Sequence, residues 1–490
     1  MNPTMRHLFA SMLATVALLG TACQSLAFSL MGPPASWQTS AIGYNLAADV
    51  GAPMNLSEEY RITMPTLNYG YDATFLNFFG SNGVVAVEAA MTILNNIPDV
   101  RTMSYRLTEF PLQAVGPANS TAANLQIRDL KSATLSTVLG QMGLASPERW
   151  VFSLRDRIVV GNVTNYIVIQ RNFDPVNWNP TNTVNGVLYT YTVRDPVPNQ
   201  LTTYSDAVES PADGRTVNPF LSVAGVDDGG GLGAGQFFTS LTRDDFGALR
   251  YLLRFNNVNT EQINIGTGGL GGSGLSLIPF DSPYSFPSGT NGSNTISTNL
   301  PIDLARRPGI GKVSFRSLPI DSLLGINILP VTNRYTDYYY HPTNLYLTNQ
   351  NLQRVSTLPD ILFSAGDLST GLIVISNGVP VASPPVLSRP TSARWANNAA
   401  LPGNSSIGGT ATAPGPGVIP EGDGTSVAIP IIFDTLGPAR INFQSGGARF
   451  LDERSARLNG VWGFFDTTTI YSVFPDGLTI QDLERQLYGP

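Results

Sequence analysis

The sequence predicts an α+β protein, and three patterns carry that expectation. Apolar residues recur at helical spacing at Val84, Val87, Met91 and Leu94. Side chains alternate with a period of two through Val187, Tyr189, Tyr191 and Val193, and an Asn-Gly pair, Asn377-Gly378, separates two short apolar runs. The first pattern turns one helical face to a core, the second suits a half-buried strand, and the third signals a hairpin turn.

The first helix is expected over residues 81–95, with Ser81 as N-cap and Pro98 ending it. A second is expected over 130–142. Leu135, Val138, Leu139 and Met142 form its stripe, and Gly143 suits the C′ position. A third opens at Thr242, where Thr242 and Asp245 form a Thr-x-x-Asp capping box, and it turns Phe246, Leu249 and Leu253 inward before Asn256-Asn257 breaks it. Strands are expected at 158–160, 166–170 and 187–193, then at 372–375, 379–381, 427–433, 439–443 and 468–474, with a short helix at 479–487. Residues 266–274 and 285–299 hold too few large apolar groups to pack by themselves, and 403–424 is a Gly/Pro/Ser/Thr loop.

The N-terminus has the pattern of an export signal. Arg6 and His7 precede an apolar run at 8–20, and Ser25-Leu26-Ala27 supplies a small-x-small cleavage pattern, so Phe28 is the expected first residue. Leu19-Gly20-Thr21-Ala22-Cys23 resembles a lipoprotein box and makes lipidated Cys23 the alternative start. No later run is long enough to span a bilayer. The organisation expected is therefore a signal peptide at 1–27, an α/β domain at 28–262, a loop-rich connector at 263–330 and a β-rich domain at 331–490.

Composition narrows the function classes. Charged residues are 13% of the chain, about half the usual share. Lys131 and Lys312 are the two lysines, so 26 of the 28 basic residues are arginine. A net charge of −7 without basic clusters argues against nucleic acid as a partner. Arginine and tyrosine suit protein interfaces better than lysine does, because guanidinium sheds water readily and binds in a planar fork. That favours partners of the chain's own kind, with cell-surface polysaccharide as the alternative.

Candidate chemistry is sparse. Cys23 is the single cysteine, and His341, in an aromatic stretch before Pro342, is the single histidine beyond the signal. One imidazole supplies neither a zinc site nor a well-supported Ser-His-Asp arrangement. The glycine runs at 229–235 and 266–274 do not lie between a strand and a helix as a phosphate loop must. Paired carboxylates occur at Glu58-Glu59 and Asp244-Asp245, the second pair in a helix first turn where the dipole favours acids. Oxygen ligands for calcium at Asp227-Asp228 are the one cofactor alternative. The expectation is no catalytic, cofactor-binding or metal-ligating residue.

One resemblance bears on the missing histidines. The helix at 81–95 and the segment Leu241-Thr242-Arg243-Asp244-Asp245-Phe246 resemble the first and closing helices of the matrixin type of metzincin, over roughly residues 28–262. In that family a central helix carries HExxHxxGxxH. Laid on that motif, Ser136, Gly140 and Ser146 stand at the ligand positions, Thr137 at the general base and Gly143 at the glycine. The resemblance implies a peptidase scaffold without its zinc, and it speaks to fold alone. The function expected is an exported, non-catalytic structural subunit of a surface layer, filament or matrix. A secreted glycan- or protein-binding module and a hydrolase with an unfamiliar carboxylate site are the alternatives.

Overall fold

In the computed structural model the described residues run from 26 to 262, from 304 to 396 and from 423 to 489, with short omissions, and between 364 and 460 only the backbone is described. Helices and strands are both present, as an α+β class requires. Five helices are used below: α1 (Ala73–Asn95), α2 (Ser120–Asn124), α3 (Leu130–Gln141), α4 (Arg243–Leu253) and α5 (Ile480–Tyr488).

A five-stranded sheet organises the centre, in the order Ser314–Ser317, Thr66–Tyr71, Ile361–Ser364, Ile429–Asp434, Gly437–Pro438. The first four strands run parallel and the last is antiparallel. Parallel pairing needs long crossovers rather than nearby turns, so strands far apart in the chain meet here. Strand Thr66–Tyr71 alternates, with Leu67, Tyr69 and Tyr71 on one face and Thr66, Asn68 and Gly70 on the other. Asn68 is nevertheless buried, because its amide N–H donates to Asp360 at 2.7 Å and its side chain reaches Ser356. Arg354 closes this junction by donating to Asp360 inside the protein.

A six-stranded antiparallel sheet follows the order Asn259–Gln262, Leu304–Arg307, Val331–Tyr340, Leu347–Ser356, Pro390–Ala396, Asp423–Val427. Strands of both sheets cross the expected division of the chain. Leu304–Arg307 and Ser314–Ser317 lie within 263–330, the stretch expected as a loop-rich connector, and Thr66–Tyr71 pairs both with Ser314–Ser317 inside it and with Ile361–Ser364 beyond it. The main core likewise gathers Phe28, Leu67, Phe75, Leu94, Leu139, Leu249, Phe363 and Trp462 into one cluster.

The helices follow their sequence signals with instructive departures. α1 is two helices meeting at a kink: Gly80 stands at non-helical φ 61°, ψ −161°, the second helix covers the expected 81–95, and a shorter one precedes it from Ala73. Glycine enters that left-handed region without steric cost, and a Cβ there would sit 3.1 Å from Asp476. α3 ends as expected, with Gly143 at φ 98°. Its burial departs from a one-sided stripe, for every residue from Leu130 to Gly140 is buried. Short hydroxyls make that possible: Thr134 donates to the Leu130 carbonyl at 2.8 Å and Thr137 to that of Ala133 at 2.7 Å. Such bonds satisfy a polar side chain without a tertiary partner.

The N-terminal segment threads this body. Ser29–Leu30 pairs antiparallel with Leu144–Ala145, and Phe28 bridges to Phe173. Leu26 and Ala27, expected to leave with the signal, are buried at 2% and 0% exposure.

Candidate functional site

The residues singled out from sequence fall into three groups. His341, Asp227-Asp228, Cys23 and the run at 266–274 lie outside the described residues. Ser136, Thr137, Gly140 and Ser146 are all buried on or just beyond α3. Ser146 meets Glu148, to which its hydroxyl donates at 3.4 Å, and accepts the Arg149 amide at 3.2 Å. The remaining group is the paired carboxylates. Glu58 and Glu59 separate, the first exposed and bonded to the Asn55 amide, the second buried and accepting from the Asn257 side chain at 3.0 Å.

Asp244 and Asp245 open α4 and face inward, where both carboxylates are held by backbone amides. Asp244 accepts from Ala27 at 3.0 Å and from Asn185 at 2.6 Å. Asp245 accepts from Val223 and Ala224, each at 3.0 Å, and from Thr242 through its amide at 2.8 Å and its hydroxyl at 2.6 Å. The capping box read from sequence is formed. Glu148 joins this region by accepting the Ser222 amide and hydroxyl, both at 2.6 Å. Burial pushes Glu148 up to about 7 against the Ser222 hydrogen bonds, and raises Asp244 and Asp245 as well. Three carboxylates thus gather the loops at 27, 185 and 222–224 around the start of α4. Acceptors this fully used pin loops. They are poorly placed to take a proton from a substrate.

Two outward surfaces contrast with that interior. The first is the hairpin of Ser153–Val160 and Val163–Ile169, closed by the two-residue turn Gly161-Asn162 with Gly161 at φ 62°. Its inner face is fixed on Asp195, which accepts from Arg157 at 2.9 and 3.1 Å and from Tyr166 at 2.6 Å. Its outer face presents Ile158, Val160, Val163 and Ile167, between 40% and 66% exposed. Among the described residues, strand Val163–Ile169 pairs only with Ser153–Val160. It carries neither charge nor proline, the features that usually blunt an open edge.

The second surface is the outward side of Val331–Tyr340 and Leu347–Ser356. Register places Arg334 opposite Gln353, Thr336 opposite Asn351 and Tyr338 opposite Asn349. Arg334 donates to Gln353 at 3.1 Å and Thr336 to Asn351 at 3.2 Å, while Tyr338 is 44% exposed. The inward side holds the buried pair Arg307–Asp337, bidentate at 2.9 and 3.0 Å, with Gln350 also donating to Asp337. Sequence reading singled out neither surface. The available signal in 331–340 is its polar and aromatic content, since every residue there except Val331 is one or the other.

Among the described residues no helix is long and apolar enough to cross a membrane. No family model, no curated protein and no solved structure matches the chain.

Proposed function

We propose that this is an exported, non-catalytic structural protein whose copies associate into a surface layer, filament or matrix. One observation carries the reading: an uncharged edge strand, Val163–Ile169, beside an exposed face of Ile158, Val160, Val163 and Ile167. A strand at the edge of a described sheet can add a strand from another copy, and the apolar face beside it gains by leaving water. Few surface charges oppose such contact, since charged residues are 13% of the chain. The amide-saturated carboxylates around α4 support the non-catalytic half of the proposal. The vacant ligand positions at Ser136, Gly140 and Ser146 accord with a matrixin-like scaffold retained for its shape.

Light scattering and negative-stain microscopy of the mature protein at micromolar concentration test it. Assemblies are expected across low and high salt, and they should be lost in Val160→Lys/Ile167→Lys, which places two charges on the exposed face. A monomer under every condition would refute self-association.

The polar side of strands Val331–Tyr340 and Leu347–Ser356 favours a second reading, a polysaccharide-binding module. Its Arg, Thr, Tyr, Asn and Gln side chains offer the amide, hydroxyl and aromatic groups that sugars engage. Retention of the monomer on an immobilised glycan, reduced by Tyr338→Ala, would place this reading first.

A further inference from the structure

We infer that Leu26 and Ala27 belong to the finished protein, so that export processing, on whose occurrence this inference rests, cuts the chain N-terminal to Leu26. The small-x-small pattern Ser25-Leu26-Ala27 taken alone directs the cut to the Ala27–Phe28 bond. The fold opposes that product at three points.

Ala27 is a core residue. It is fully buried and packs in a cluster with Val151, Phe152, Leu154, Val184, Tyr189 and Ala207. Removing it, together with Leu26 at 2% exposure, leaves space that well-packed neighbours refill incompletely.

The Ala27 amide is also one of two backbone donors to Asp244, at 3.0 Å, the other being Asn185 at 2.6 Å. Asp244 is 1% exposed, and a buried carboxylate that loses a donor keeps its desolvation cost without the compensating bond.

The cut would finally convert the Phe28 amide into an ammonium inside the protein. Phe28 is 1% exposed, its amide donates to the Phe173 carbonyl at 3.1 Å, and its ring stacks on Tyr251 at 5.4 Å. A neutral N–H fits that antiparallel bridge, whereas a charged group there has lost water on every side.

Upstream bonds keep Ala27 in the core, the Ala27 amide on Asp244 and the Phe28 amide in its bridge, although a start at Leu26 sets the ammonium on a residue itself 2% exposed. Gly20 and Ala22 flank the Ala22–Cys23 bond at the positions a signal peptidase reads, and Cys23 and Ser25 do so for the Ser25–Leu26 bond. Both cuts leave Leu26 and Ala27 in the product.

Two measurements decide it. The full precursor is expressed in an exporting bacterial host, and its N-terminal peptide is read by mass spectrometry. A first residue at Leu26 or earlier is expected, and the mass also separates a Leu26 start from one at Cys23. A chain beginning at Phe28 or later overturns the inference. In parallel, chains beginning at Leu26 and at Phe28 are released from a cleavable fusion and melted side by side. The Phe28 form is expected to melt lower by on the order of 5 °C, and equal melting temperatures overturn the inference. Precursor recovered uncut would count against export itself, and the melting comparison would then decide the place of Leu26 and Ala27.

Discussion

Two helices of this protein open with the same capping motif in opposite surroundings. Thr242 and Asp245 cap α4 in the interior, whereas Thr479 and Asp482 cap α5 at the surface. The local hydrogen bonds are nearly superimposable. The threonine hydroxyl donates to the aspartate at 2.6 Å in α4 and 2.5 Å in α5, and the threonine amide does so at 2.8 and 3.0 Å. Their electrostatics have opposite sign. Burial raises Asp245 from its ordinary value, while hydrogen bonding from Thr479 lowers exposed Asp482. A capping motif therefore fixes local geometry, and the surroundings decide whether its charge is welcome.

The largest expected effect that sharpens this contrast is Asp245→Ala. The substitution removes a reciprocal cap and leaves the Val223 and Ala224 amides without their acceptor. A loss of about 3–7 kcal/mol is expected, from about 1 for the cap and about 1–3 for each of the two buried amides. Denaturant melts would measure it. A cost near that of a surface cap would show that the interior pins carry little.

A smaller effect concerns pH. Glu148 titrates near 4.5 when unfolded and at about 7 when folded, and Asp129, the N-cap of α3, moves from 3.8 to about 6, in both cases mainly through burial. Raised values mean that the folded state binds more protons in these windows, so stability is highest below them and falls as pH rises from about 4 through 7. Glu148→Gln should flatten this slope by on the order of 2 kcal/mol, after allowance for screening at its partly exposed edge. Melting temperatures at pH 5 and pH 8 give the comparison, and a protein more stable at pH 8 would contradict the assignment.

Asp482 should behave in the reverse sense. Its lowered value makes its contribution present above the unfolded carboxylate range and lost as pH falls through the folded value. Asp482→Ala should cost far less than Asp245→Ala and should lower stability at neutral pH more than at acid pH. The smallest stability effect is expected for Val160→Lys, whose side chain is 66% exposed. Its melting should change by less than about 0.5 kcal/mol while assembly weakens, which separates association from folding.

Much of the local structure was legible before any coordinates. Thr242 and Asp245, the Gly143 terminus of α3 and the hairpin at 373–382 all depend on neighbours a few residues away, and those neighbours are printed in the chain. The helix over 81–95 is likewise legible from its apolar stripe, whereas the helical turns from Ala73 to the Gly80 kink carry no comparable signal. Strand Thr66–Tyr71 is a short alternation (Leu67, Tyr69, Tyr71) without a nearby turn or partner, because its parallel neighbours lie hundreds of positions away.

The sequence by itself determined the capped and striped helices and the hairpins, the scarcity of charge and the residue types standing at Ser136, Gly140 and Ser146. Only the tertiary structure decided which carboxylates are buried, that Asp244 reaches back to Ala27, and that strands on both sides of residues 263–330 share one sheet. The physical reason is range. Capping and turn bonds close within a few residues, but the sign of a buried charge and the pairing of parallel strands depend on groups hundreds of positions away, brought together by burial of a common core.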